Sequence, residues 1–197
     1  MDFQNSKFGR IRQTFGAIEI ANCSNDWDSQ RHCINAYTKE KMTAPQARLK
    51  QFMDEASIRN TIARFADSAT RSDYAMFKTV WADDGEFIIG TAPHGQHSIG
   101  ADENVALLRK LRTGKEFFVQ FALPGVIVID GDEATTRTFV HEAARGPGEK
   151  YYRNHCVAFD KLKRSGDDWL FKSRSFQYIW LDTGPFVGSG FPLFPAE

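Results

Sequence analysis

The chain has 197 residues, 42% apolar and 25% charged, and its 25 basic and 25 acidic side chains cancel to a formal net charge of zero. That length predicts one domain with a core of its own, and the balanced charge lacks the basic footprint of a nucleic-acid binder. No run approaches the roughly 18 apolar residues of a membrane span, and residues 1–20 lack the apolar stretch of a secretory signal, so a cytoplasmic protein without a membrane partner is expected. Seventeen Phe point to a large aromatic core or an aromatic-lined cavity. Cys23, Cys33 and Cys156 form neither a disulfide framework nor a zinc pattern, and free thiols suit a reducing compartment.

Residues 1–44 read as a mobile extension. They show no sustained period and are interrupted by the turn formers Asn22, Ser24, Asn25, Asp26, Asp28 and Ser29. The folded domain is expected over 45–183, opening at Met42-Thr43-Ala44-Pro45, where Thr43 can cap a helix and Pro45 suits its first turn. Leu49, Phe52, Met53, Ile58, Ile62, Phe65 and Ala69 then recur at three- and four-residue steps, which predicts an amphipathic helix, with a break near Ser57. Ser72-Asp73 reads as the cap of a short second helix through Tyr74, Phe77, Val80 and Trp81, closed by Asp83-Asp84-Gly85. Residues 86–90 form a short strand, and 92–97 a loop. Gly100-Ala101-Asp102 opens a third helix that runs to Arg112, with Gly114 at its C-terminal end.

Strands follow over 117–123, 126–129, 134–144, 151–162 and 169–180. The turns Asp130-Gly131-Asp132, Gly146-Pro147-Gly148 and Ser165-Gly166-Asp167 make their neighbours antiparallel. Helices first and sheet afterwards is an α+β layout: N-terminal helices packed on a strongly curved antiparallel sheet, forming a cone whose interior is a pocket for a small apolar molecule. Residues 184–197 are an apolar tail, expected to plug the mouth of the cone or to pack on a partner subunit.

Four segments in this order, Ile58 to Asp73 (IRNTIARFADSATRSD), Phe77 to Phe87 (FKTVWADDGEF), Val126 to Ala134 (VIVIDGDEA) and Trp169 to Arg174 (WLFKSR), carry a family likeness. Over residues 45–182 the chain resembles SnoaL-like proteins of the nuclear-transport-factor-two-like superfamily. The resemblance implies the cone fold and a homodimer paired through the outer face of the sheet. It allows dehydratases, isomerases, cyclases, dehydrochlorinases and non-catalytic binders, so fold leaves function open. The scytalone-dehydratase-like branch uses an Asp that orients a His. The matching positions here carry Thr70 and Gln120, so that pair is not kept.

Other ionisable residues stand near those positions. Asp67 lies one helical turn before Thr70 and Tyr74 one turn after, on a shared face. Asp67 is either a carboxylate at the site or a solvated residue. His141 and Glu142 must point to opposite faces of one strand. The resemblance favours Glu142 as the inward residue, beside Thr136, Thr138 and Val140. There it is a buried acid or base, or else a salt-bridge partner of Arg153 or Arg174. His155 is an alternate on the next strand, or a structural residue. The expected catalytic set is Asp67 and Glu142 with His141 and His155 as alternates, and Thr70, Tyr74, Gln120, Phe118 and Trp81 as substrate contacts. His94 and His97 lack a third metal ligand, and no Gly-rich phosphate loop follows a strand, so neither metal nor cofactor is expected. These features together predict a cofactor-independent dehydratase, isomerase or cyclase working by proton transfer on an apolar oxygenated metabolite. The alternative is a ligand-binding or subunit-assembly module of the same fold.

Overall fold

A computed structural model describes residues 43–90, 95–148, 150–191 and 193. All of the expected extension but Thr43 and Ala44 lies outside them, as do Cys23, Cys33 and His94. Helix α1 (Ala44–Arg71) is unbroken: after Pro45 no Pro or Gly interrupts it, and Ser57 is an ordinary helical residue. Its core stripe is Ile58, Ile62, Phe65 and Ala69. Leu49, Phe52 and Met53 share the periodicity but are exposed. The helix stops at Ser72, which takes a positive φ of 59°, and the Asp73 N–H donates back to the Ser68 carbonyl at 2.9 Å. This closure satisfies end carbonyls that have no helical partner. Asp73 then caps α2 (Tyr74–Thr79), accepting from the Met76 N–H at 2.9 Å.

Six strands follow: β1 (Trp81–Ile89), β2 (Gln96–Ile99), β3 (Phe117–Asp130), β4 (Glu133–Gly146), β5 (Lys150–Ser165) and β6 (Asp168–Asp182), with α3 (Ala101–Arg112) between β2 and β3. Trp81 thus opens a strand rather than closing a helix, and Gln96 and His97 are paired with β1 rather than in a loop. The strand order is β2-β1-β6-β5-β4-β3. Every neighbouring pair is antiparallel except β1–β6, which is parallel. No hairpin joins those two strands, so turn logic did not constrain them. The two runs expected over 117–129 form one strand with a bulge between Pro124 and Ile127. Pro124 has no N–H to give the ladder, and a Cβ on Gly125 would stand 2.6 Å from the Arg137 carbonyl oxygen. That bulge bends β3 and helps the sheet curl.

The core lies between α1 and the inner face of the sheet. Phe65 is its centre, with ring centroids of Phe77, Phe87 and Phe171 at 4.9, 5.7 and 5.7 Å. Arg174 is buried among these rings, its guanidinium 4.4 Å from the Phe65 centroid and 4.8 Å from that of Phe171. It reaches Asp160 at 3.4 Å, and both side chains are fully buried. The opposite face of the sheet exposes Phe121, Leu123, Phe139, Phe159 and Trp180. In the tail, Phe186 packs on Phe117 and Tyr151, while Val187 and Phe191 stay exposed.

Asp54 ties α1 to the β5–β6 hairpin. It accepts from Arg164 at 2.5 and 2.8 Å, from Lys50 at 2.9 Å and from the Trp169 indole at 3.3 Å. The Arg164 hydrogen bonds, with Lys50 and Trp169 assisting, hold its carboxyl well below the usual carboxylate range against the opposing effect of burial. A depressed folded pKa contributes stability above the unfolded value of about 3.9, and that stability is lost as pH falls through the folded value. Asp54→Asn is therefore expected to cost about 1–3 kcal/mol near neutral pH. Urea titrations of both proteins should show that difference shrinking as acid protonates the carboxyl, whereas a difference independent of pH would contradict the assignment.

Candidate functional site

Strand alternation puts every second residue of β3 to β6 on the inner face. Because the hairpin turning at Pro147-Gly148 pairs residues equidistant from it, Glu142 stands opposite Asn154. β3 brings Gln120 to the other side of Glu142. The Gln120 amide donates to the Glu142 carboxylate at 2.5 Å, and the Asn154 amide donates at 2.8 Å. Gln120 and Asn154 are themselves buried. One carboxylate is thus held by an amide on either side.

This row opens into a cavity of about 370 Å³. α1 contributes Phe65 and Ala69, and α3 contributes Leu108, Leu111 and Arg112. The sheet adds Phe87, Phe118, Tyr152, Cys156, Phe176 and Tyr178. Lys115 and Lys150 also line it. The size and the mainly apolar lining with a few convergent polar groups suit a small organic molecule.

The electrostatics follow from that setting. Burial pushes the Glu142 carboxyl above the ordinary range, and the Asn154 and Gln120 hydrogen bonds offset only part of the rise. Burial, with the Glu142 charge adding, pushes the Tyr178 phenol up to about 12 and the Cys156 thiol up to about 12. Tyr152 moves up for the same reasons. These groups stay protonated at neutral pH. They line the cavity as protonated groups able to donate, rather than as nucleophiles.

The residues singled out from the sequence separate into three groups. Glu142, Gln120 and Phe118 line the cavity. Thr70 sits at its edge, accepting from the Gln120 backbone N–H at 3.0 Å, so the two positions matching the Asp and His of the dehydratase-like branch are adjacent but hold no acid–base pair. For five residues the expectation is corrected, because their side chains stand elsewhere. Asp67 is exposed on α1. Tyr74 packs under the Arg109 guanidinium at 3.8 Å and does not line the cavity. Trp81 is buried in the core. His141 and His155 stand together on the outer face, ring centroids 4.8 Å apart, between Phe121 and Trp180. They are a strand position away from the inward row and cannot reach Glu142's cavity side.

Asn154, Tyr152, Tyr178, Arg112 and Lys115 were not singled out. The hairpin register was a signal for Asn154 and Tyr152, which follow from placing Glu142 inward. Among the described residues no three of His, Cys, Asp and Glu converge in a way that would hold a metal ion. No described helix is long and apolar enough to cross a membrane.

The sequence pattern of the SnoaL-like domain matches residues 50–175. Among solved structures, the chain is similar to a protein provisionally assigned as a scytalone dehydratase from Novosphingobium aromaticivorans, at 17% identity and a TM-score of 0.60, covering 75% of this chain and 98% of that one. It is similar to the hexachlorocyclohexane dehydrochlorinase LinA-type3 from Novosphingobium barchaimii, at 14% identity and a TM-score of 0.64, covering 75% and 99%. It is also similar to an NTF2-like protein with a cystatin-like fold from N. aromaticivorans, at 22% identity and a TM-score of 0.60, covering 72% and 92%. At these identities the likeness is one of fold. No curated protein sequence matches.

Proposed function

From the premise that the chain belongs to the SnoaL-like domain family, we propose that it is a small-molecule pocket protein acting by cofactor-independent proton transfer, with Glu142 as the acid–base group. The observation that carries this reading is a carboxylate with a raised pKa, held by two amides, facing an aromatic-walled cavity. A carboxylate so placed can take a proton next to a substrate carbonyl, and its raised basicity brings it closer to the strength such a base needs near neutral pH. Tyr152 and Tyr178, kept protonated, can donate to the oxygen on which charge develops. Water loss, isomerisation or cyclisation of an apolar oxygenated metabolite all begin with such a step. The test is a screen of β-hydroxy ketones in D₂O by NMR. Substrate that acquires deuterium at the carbon next to the carbonyl, or loses water, only with protein present supports the reading. Ligands that bind and leave unchanged favour a non-catalytic binding module.

That second reading has its own support: the Asp and His positions of the dehydratase-like branch carry Thr70 and Gln120. An assembly role is supported by the exposed Phe121, Phe139, Phe159 and Trp180 on the outer face, more apolar area than a monomer gains by showing to water. We expect a homodimer paired through this face.

A further inference from the structure

We infer that the ligand of this cavity carries a carboxylate, received by Arg112 and Lys115 with Lys150 nearby. This rests on the pocket reading above and adds the chemical class of the ligand. Three cations line the cavity beside a single carboxylate, Glu142, in a chain whose formal charge is zero. The balance inside the pocket is thus strongly positive.

Four other half-buried or buried arginines show what such groups often find: Arg145 meets Glu116, Arg153 meets Asp182, Arg164 meets Asp54 and Asp132, and Arg174 meets Asp160. Arg64, with one end on the Thr79 hydroxyl, lies away from the cavity. Arg112 lines the cavity and meets no carboxylate among the described residues. Its Nε donates to the Ser72 hydroxyl at 3.1 Å and its Nη2 to the Thr70 carbonyl at 3.3 Å, with the guanidinium 4.5 Å from the Phe118 ring centroid. Its Nη1 is buried without a hydrogen-bond partner. A buried donor left unpaired is costly, and a guanidinium held by two fixed bonds on a cavity wall without a counter-charge is prepared to attract an anion.

Lys115 lies over the Tyr152 ring at 4.7 Å and has no ion-pair partner among the described residues. Burial first, then the Arg112 charge and less strongly that of Lys150, push its ammonium down against the opposing pull of Glu142, and a second, bound anion would add to that pull. A carboxylate matches this arrangement because it supplies the counter-charge that Arg112 and Lys115 share a need for on one cavity wall. An apolar body on that carboxylate would lie against Phe118 and Leu111.

The test compares 2-naphthylacetate with its neutral isostere 2-naphthylacetamide by isothermal titration on the full-length protein. The acid is expected to bind about tenfold or more tightly, as charge-assisted hydrogen bonds warrant. Arg112→Gln and Lys115→Met should each erase most of that preference, read as the ratio of acid to amide affinity within each protein. The Lys115 ammonium donates no hydrogen bond among the described residues, so K115M remains informative if R112Q is destabilised. Equal binding of acid and amide overturns the carboxylate inference and leaves the pocket standing. A preference that survives K115M and R112Q overturns it too. Binding of neither compound would remove the pocket reading and the inference together.

Discussion

Glu142→Gln is expected to lower turnover by about 10²–10⁴-fold, the usual loss when a positioned acid–base group is removed. The substitution keeps the shape of the side chain. The new amide still accepts at one oxygen, and a flip of the Gln120 or Asn154 amide offers an acceptor to its NH₂, so the inward row stays hydrogen-bonded. Thermal melting should therefore change little while the rate collapses. In the parent protein, a rate that depends on ionised Glu142 rises with pH through an inflection above the ordinary glutamate range, because burial raises this carboxyl. His141→Ala and His155→Ala are the controls: both rings lie on the outer face and should leave kcat within about twofold. A rate unmoved by Glu142→Gln, or abolished by either His change, would end the assignment.

Arg174→Met should be the most destabilising single change, about 3–5 kcal/mol, because it strands the Asp160 carboxylate in the core. Both groups are fully buried, and their contact is long at 3.4 Å. Arg174 Nε and Nη2 and Asp160 Oδ1 have no hydrogen-bond partner. Burial works against charge on both partners and their mutual attraction works for it. Such a pair is costly to break and cheap to replace. A double variant, Asp160→Leu with Arg174→Met, should recover most of the loss in urea denaturation. If the double variant is as unstable as the single one, Arg174 acts through its stacking on Phe65 and Phe171 rather than through the charge pair. The Arg174 charge also lowers the Glu142 pKa. In any Arg174→Met protein that folds, the pH–rate inflection should move upward.

The order of elements was written in local signals. The apolar steps of Ile58, Ile62, Phe65 and Ala69 required a helix with one buried stripe, and Asp73 marked a cap that the fold uses. Three turns rich in Gly set the β3 to β6 meander, and the alternation along β4 meant that Glu142 and His141 had to part. These features depend on residues a few positions apart, where backbone geometry alone decides.

Convergence was decided by the tertiary structure. The parallel β1–β6 pairing closes the sheet between segments about ninety residues apart, and no turn announces it. Asp67 and Tyr74 have the right spacing for one face of a helix, but α1 turns its Phe65 and Ala69 toward the cavity instead. The bulges in β3 and β6 shift the register locally, which no alternation rule foresees. Arg112 and Lys115 looked like ordinary surface charges at the end of α3 until that helix was laid across the open side of the sheet. By itself the sequence determined the α+β class, the helix stripe and the parting of His141 and Glu142 to opposite faces of β4, with the resemblance favouring Glu142 as the inward one. The three-dimensional packing decided that Gln120 and Asn154 hold that carboxylate and that three cations share its cavity, because partners far apart in the chain are selected by global packing and not by any local pattern.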